Sequence, residues 1–143
     1  MSVSFCLGLS LSLTRRTDTP EEAKSMVVKA IAFYKAQGKE KTFAEISDPN
    51  GRFKKGDLYV FVYDMKGAGI ARPVSKGLIG INMIDFKDPD GKLYVKERID
   101  LVRTKGNGWQ DYKFLNPTTN QSENKTAYIE GYDNYVFGCG AYK

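Results

Sequence analysis

Residues 58–63 read LYVFVY, and this stretch decides the fold because it is the clearest β-strand in the sequence. Each of its residues is leucine, valine or aromatic, a composition typical of strands. Alternation along a strand places Tyr59, Phe61 and Tyr63 on one face and the aliphatic side chains on the other. Both faces are apolar, so we expect the strand to lie in a sheet that is covered on both sides.

A long amphipathic helix is predicted upstream of this strand. Thr19 is a suitable N-cap, Pro20 suits the first helical position and Glu22 completes a capping box. Gly38 is a suitable stop. Apolar residues follow at helical spacing: Ala23, Met26, Val27, Ala30, Ile31 and Tyr34. This stripe is suited to cover one face of the strand, which leaves the aromatic face to meet another part of the protein.

The remaining sequence predicts short helices and further strands. Helices are expected over residues 39–46 and 92–104, the second with Val95, Ile99 and Val102 inward. Strands are expected over residues 68–72, 109–115, 123–130 and 135–142, with a tight turn at Asp133 and Asn134. Helices first, a central hairpin and a closing three-stranded meander predict an α+β fold with an antiparallel sheet of about five strands.

The composition is that of an ordinary globular domain. The chain has 143 residues, enough for one domain with its own core. Its net charge is +5, from 22 Lys and Arg against 17 Asp and Glu, but its longest basic runs are pairs. Because nucleic-acid binding needs a clustered basic face, we expect no nucleic-acid partner.

The sequence offers no constellation for catalysis. It contains no histidine, so neither a Ser-His nor a Cys-His pair can form. Its two cysteines, Cys6 and Cys139, cannot build a thiolate zinc site, and Cys139 is expected to be a small buried hydrophobic residue. We therefore expect neither enzyme activity nor a cofactor.

One segment has part of the spacing of a calcium loop. Asp88, Asp90 and Glu97 match ligand positions, but Phe86 stands at the first position and cannot bind the ion. The run Asp88-Pro89-Asp90-Gly91 is instead typical of a type I turn. We therefore expect a turn here and no metal.

The N-terminal residues 1–18 form a separate segment ahead of the domain. Residues 3–13, VSFCLGLSLSL, are apolar but too short to span a bilayer. They have the character of the apolar part of an export signal, but basic residues follow them at Arg15 and Arg16 and do not precede them. The segment is interpreted either as a remnant export signal or as an arm, disordered or packed on the domain.

Tyrosine is unusually dense in the predicted strands. Six of the nine tyrosines lie there, at positions 59, 63, 112, 128, 135 and 142. Taken singly, each fits the edge of a tyrosine-rich core, where a buried hydroxyl needs a partner. Taken together beside Trp109, Arg72 and Lys125, they predict a half-polar cavity. Such a cavity suits a small anion, with an apolar lining for its body and a cation and hydroxyls for its head.

Several segments, in their order and spacing, resemble the single Cache domain of bacterial sensors. They are DLYVFVYD at 57–64, Ala71-Arg72-Pro73, LIG-IN at 78–82, KDPDGKLYVKE at 87–97, GNGWQDYKFLNP at 106–117, the step from Lys125 to Tyr128, and FGCGAY at 137–142. The resemblance covers residues 19–143. It implies a PAS-like antiparallel sheet, a long N-terminal helix, an extracytoplasmic or periplasmic setting and a pocket for small molecules, often short carboxylates.

The resemblance also implies roles for individual residues. Lys125, Tyr112 and Arg72 are expected to bind the ligand's head group. The walls are expected from Tyr59, Phe61 and Trp109, with Tyr128 as a further contact. Many relatives carry histidine where this chain has Arg72; an arginine stays charged and either strengthens anion binding or points to solvent.

Strand geometry limits this assignment at one point. Lys125 and Tyr128 are three residues apart and face opposite sides of an ideal strand. Both can line one pocket only if a bulge intervenes.

The function predicted from the sequence is non-catalytic sensing of a short organic acid in bacterial signal transduction or chemotaxis. The expected partners are the small carboxylate and either a membrane receptor or a second copy in a homodimer. No membrane span is predicted within the chain, which favours an exported binding protein. The alternative is a PAS-like interaction module that has a closed core, binds no ligand and pairs through its long helix.

Overall fold

A long helix opens the part of the chain that the computed structural model describes, residues 18–116 and 119–143. Helix α1 spans Pro20–Gln37, and the Thr19 hydroxyl caps it by accepting a hydrogen bond from the Glu22 backbone N–H at 3.2 Å. All six residues of the predicted stripe are buried, and Gly38 ends the helix at φ 88°. The prediction of α1 is therefore confirmed. The segment 1–18, interpreted above as a signal remnant or an arm, lies outside the described residues except for Asp18.

Two further helices and six strands follow. Their bounds are α2 Lys39–Ser47, β1 Lys54–Lys55, β2 Leu58–Asp64, β3 Gly69–Ala71, α3 Tyr94–Lys105, β4 Asn107–Asn116, β5 Gln121–Tyr132 and β6 Tyr135–Tyr142. A short 3-10 turn covers Lys76–Leu78. The predicted α+β class is confirmed. The sheet has six strands where about five were expected, and the additional one is the two-residue strand β1.

The strands form one antiparallel sheet. Its order is β1-β2-β6-β5-β4, and β3 pairs with β2 on the edge opposite β6. Asp133 and Asn134 form the tight turn between β5 and β6, both with positive φ, the backbone that a two-residue hairpin requires. Without the two-residue strand β1, the order is β3-β2-β6-β5-β4, and the expected PAS-like sheet is confirmed.

The sheet buries a different core on each face. On the first face α1 and α2 pack on aliphatic residues of β2 together with Tyr128, Phe137 and Cys139. Cys139 is fully buried, as expected, and its burial raises the pKa of its thiol to about 12. On the second face α3 packs through Val95 and Ile99. Among the described residues, no helix combines the length and the apolar character needed to cross a membrane.

The second face carries the aromatic side of β2 and two glycines of β6 opposite it. Gly138 lies under the ring of Phe61, and Gly140 lies beside the Tyr112 hydroxyl and the Lys125 side chain. A methyl group at either position would overlap an aromatic side chain. The glycines of the FGCGAY segment therefore make room for aromatic side chains on this face.

We predict that Gly138→Ala lowers the free energy of unfolding by about 1–3 kcal/mol, because the added methyl overlaps Phe61 and comes to 2.8 Å from Cδ1 of Ile129. Urea denaturation measures the change. Gly77→Ala is the control, since a methyl there meets no described atom within 4 Å. The control is expected to cost less than about 0.5 kcal/mol. Equal stability of the two variants would contradict the close fit at Gly138.

Candidate ligand-binding site

A cavity of about 450 Å³ lies on the second face of the sheet, beside α3 and the segment that follows β3. Its volume falls in the range of small-molecule sites. Aromatic rings from four elements line it, among them those of Tyr59, Phe61, Tyr94, Tyr112, Phe114 and Tyr142. The aromatic face of β2, whose cover the sequence did not identify, thus meets both α3 and this cavity.

Five of the seven predicted site residues line the cavity. They are Tyr59, Phe61, Arg72, Tyr112 and Lys125. Lys125 stands directly opposite Tyr112 on β4 and opposite Tyr142 on β6. Directly opposed residues of an antiparallel sheet share a face, so these three side chains lie side by side.

The structure places Trp109 and Tyr128 elsewhere, which corrects their predicted position. They oppose each other on the first face, with ring centroids 5.3 Å apart. Tyr128 packs in the α1 core, with the Lys24 ammonium 5.3 Å from its ring centre, and Trp109 is 45% exposed. The pairing of β5 is continuous, so no bulge turns Tyr128 towards the side of Lys125.

Lys125 is buried, and no carboxylate of the described residues forms an ion pair with it. The residue is 3% exposed, and its ammonium lies 4.5 Å from the ring centre of Phe114 and 4.6 Å from that of Tyr142. Within the described part of the chain, the ammonium makes neither a hydrogen bond nor an ion pair. Burial lowers the pKa of Lys125. Its three N–H groups are thus available to a ligand in the cavity.

Arg72 lies at the cavity wall, which resolves the question of its direction. The residue is 9% exposed, and its Nε donates to the carbonyl oxygen of Val74 at 2.9 Å. Its Nη1 lies 3.7 Å from the sulfur of Met83. No carboxylate of the described residues forms an ion pair with it. The guanidinium therefore brings a full positive charge to the cavity.

Arg98 of α3 is a third buried cation of the cavity, and it was not predicted. Its Nε donates to Oε1 of Gln110 at 2.8 Å and its Nη1 to the Tyr63 hydroxyl at 2.9 Å. The rings of Phe61, Tyr94 and Tyr112 surround its guanidinium at 4.6–5.0 Å. Helical spacing could have predicted that Arg98 points inward, because it follows the inward Val95 by three residues and directly precedes Ile99.

Two tyrosine hydroxyls of the cavity, those of Tyr59 and Tyr112, are neutral groups. Burial raises the pKa of Tyr59 and of Tyr112, although nearby arginines act in the opposite direction. At neutral pH these hydroxyls therefore stay protonated and can donate hydrogen bonds. The inner cavity combines positive charge with neutral donors, which is the environment that an anion needs.

Asp88, at the cavity mouth, serves the turn that the sequence predicted. Its Oδ1 accepts hydrogen bonds from the backbone N–H groups of Asp90 and Lys92, and its Oδ2 accepts one from Lys113, all at 2.9–3.0 Å. Burial alone would raise the pKa of Asp88, but these N–H groups lower it overall. Its carboxylate is thus committed to holding β4 against the turn before α3. The described residues contain no cluster of three or more His, Cys, Asp or Glu side chains that could hold a metal.

The helix-flanked sheet and its cationic, aromatic cavity define a PAS-like sensor domain. Residues 19–143 match the family Single Cache domain 2, and the chain belongs to that family. The resemblance stated from the sequence is thereby confirmed.

Relatives and solved structures place the chain among bacterial sensors. It is 35% identical over 88 residues to the sensor histidine kinase MctS of Rhizobium johnstonii, a match that covers 60% of this chain and 19% of the kinase. A methyl-accepting chemotaxis protein of Vibrio parahaemolyticus is 25% identical, with a TM-score of 0.72 and 94% and 92% of the two chains covered.

A further structure shows the same fold. It is a Cache chemosensory domain whose description concerns carboxylic acid recognition, 22% identical, with a TM-score of 0.67 over 93% of this chain and 96% of that one. The chain is thus a Cache domain of the type found in chemotaxis receptors and sensor histidine kinases, and it spans about a fifth of the kinase that it matches.

We predict that Asp88→Asn destabilises the protein mainly near neutral pH, because an amide nitrogen cannot accept one of the three backbone hydrogen bonds. A carboxylate whose folded pKa is lowered contributes stability above its unfolded pKa of about 3.9. That contribution is lost as the pH falls through the folded pKa. The stability difference between wild type and variant should therefore be largest at pH 7 and should narrow below about pH 4.

Urea denaturation at both pH values measures this difference. Asp90→Asn, in the same turn but exposed, is the control and should change stability little at either pH. An equal loss for Asp88→Asn at both pH values would contradict the role of its charge.

Proposed function

We propose that the chain senses a small organic acid, which binds in the cavity between α3 and the sheet and is released unchanged. The observation that carries this proposal is the buried ammonium of Lys125, which has neither a hydrogen-bond acceptor nor a carboxylate partner among the described residues. A buried charge without a partner is costly, so a fold retains it where a ligand supplies the opposite charge.

The cavity provides complementary contacts for such a ligand. Lys125 and Arg72 offer N–H donors to a carboxylate, and the adjacent Tyr112 offers a neutral hydroxyl. Tyr59 and Phe61 offer an apolar wall to the carbon chain. These five residues of the sequence prediction remain our assignment for the site, together with Arg98.

The comparisons support the setting of this proposal. One solved relative is described as a periplasmic sensor domain of a chemotaxis protein, and another in terms of carboxylic acid recognition. We propose the same periplasmic setting and ligand class for this chain, with a membrane receptor or a second copy as the protein partner. A ligand would act on such a partner only through different affinities for two conformations.

The closed-core alternative has less support. It requires that Lys125 and Tyr112 point to solvent and that side chains fill the second face. Both residues instead line a cavity, and Lys125 is 3% exposed. We therefore favour ligand binding over an interaction module with a filled core.

We predict that acetate, propionate, lactate or pyruvate raises the thermal stability of the purified protein, because an anion that binds only the folded state stabilises it. A ligand at 100 times its Kd adds about 2.7 kcal/mol to the free energy of unfolding. Thermal unfolding screens the acids, and isothermal titration calorimetry measures Kd. Propionamide is the matched neutral control and should have no effect. The proposal fails if neither these monoacids nor short dicarboxylic acids alter stability or produce binding heat.

We predict that Lys125→Met separates stability from binding. Removal of the unpartnered buried charge should raise the free energy of unfolding of the ligand-free protein by on the order of 1 kcal/mol. The stabilisation by acids should disappear in the same variant. Urea denaturation with and without acid measures both effects. Lys29→Met, which removes an exposed charge from α1, should leave acid binding intact. A Lys125→Met protein that is less stable yet still binds acids would argue for a purely structural lysine.

A further inference from the structure

The cavity contains more positive charge than one carboxylate can balance. Arg72, Arg98 and Lys125 line it, each at most 9% exposed. The four ion pairs among the described residues all involve other side chains. A ligand with a single negative charge would leave two of the three buried charges without a counter-charge, which is unfavourable for charges that are removed from bulk water.

Among the described residues, no carboxylate that lines the cavity forms an ion pair with these three cations. Two line the cavity, Asp57 and Asp88. Asp57 is exposed at the mouth, and Asp88 accepts three backbone hydrogen bonds. Lys54, Lys87 and Lys113 also lie at this lining, so the mouth is not acidic either. A ligand is therefore the natural source of an ion-pairing counter-charge for these cations.

Lys125 and Arg72 approach the cavity from different sides. Lys125 belongs to β5, and Arg72 directly follows β3. In the order β3-β2-β6-β5, these backbones are three strand spacings apart, roughly 14 Å. Their long side chains converge on one cavity from opposite ends. A ligand that contacts both needs an anionic group at each end.

Arg98 has a different role from these two. Two of its nitrogens already donate to Gln110 and the Tyr63 hydroxyl, and three aromatic rings surround it. Neutral acceptors and ring faces stabilise a cation but do not neutralise it. Arg98 therefore adds positive potential to the cavity, while Lys125 and Arg72 supply the direct contacts.

We propose that the ligand is a short dianion of the dicarboxylate class, with one carboxylate on Lys125 and Tyr112 and the other on Arg72. This inference rests on the proposed function, because it specifies the acid that the same site binds. The volume of about 450 Å³ leaves room for a second carboxylate that a two- or three-carbon monoacid would not use.

The test compares each diacid with its own half-ester on the wild-type protein. Isothermal titration calorimetry measures Kd for malonate, succinate and glutarate and for their monomethyl esters. Each ester keeps the carbon chain of its diacid but has one negative charge fewer. We expect at least one diacid to bind about tenfold or more tightly than its half-ester, the loss expected for one charge-assisted hydrogen bond. Arg72→Gln and Lys125→Met should each reduce this preference to about twofold or less, and the surface control Lys29→Gln should preserve it.

The outcomes separate this inference from the proposed function. If half-esters or simple monoacids bind as tightly as every diacid, the dianion inference is wrong and the proposed organic-acid function stands. If no acid of either kind binds, both are wrong. Because the comparison of diacid and half-ester uses only wild-type protein, it remains decisive even if a variant fails to fold.

Discussion

Strand β2 is apolar on both faces, and its two covers are unequal. Helix α1 has 18 residues and buries six of them against the first face. Helix α3 has 12 residues and, through Val95 and Ile99, covers only part of the second. The uncovered part of the second face therefore borders a cavity, and the aromatic side of β2 provides its wall. The site exists because β2 is fully covered on its first face and only partly covered on its second.

The same constraint explains the glycines of β6. Phe61 and Tyr112 are large side chains on neighbouring parts of one face, and they need space above the strand that lies between β2 and β5. Gly138 and Gly140 provide this space, since neither has a side chain to meet the rings. The glycines of the FGCGAY segment are therefore required by the packing of the aromatic walls.

Alternation and helical spacing predicted much of this architecture from the sequence. The stripe of α1 and the two faces of β2 were predicted residue by residue, because local periodicity alone determines them. The site was predicted less completely. Trp109 and Tyr128 were assigned to the site by the family resemblance. They lie three residues from Tyr112 and Lys125, and a step of three residues reverses the face of a strand. Arg98 was missed because a charged residue within an apolar helical stripe looks like a surface residue until its aromatic neighbours, which come from β2, β4 and its own helix, are known.

The buried cations show how the fold combines stability with binding. An arginine or lysine can be kept in a protein interior when aromatic faces and neutral acceptors replace part of its hydration. Arg98 has both kinds of neighbour, Lys125 has only two rings, and Arg72 has a carbonyl and a sulfur. The described protein groups thus stabilise Arg98 most completely and leave Lys125 and Arg72 with unused donors. An incoming anion therefore gains most binding free energy at these two positions, because it supplies an ion pair that the described protein groups do not provide.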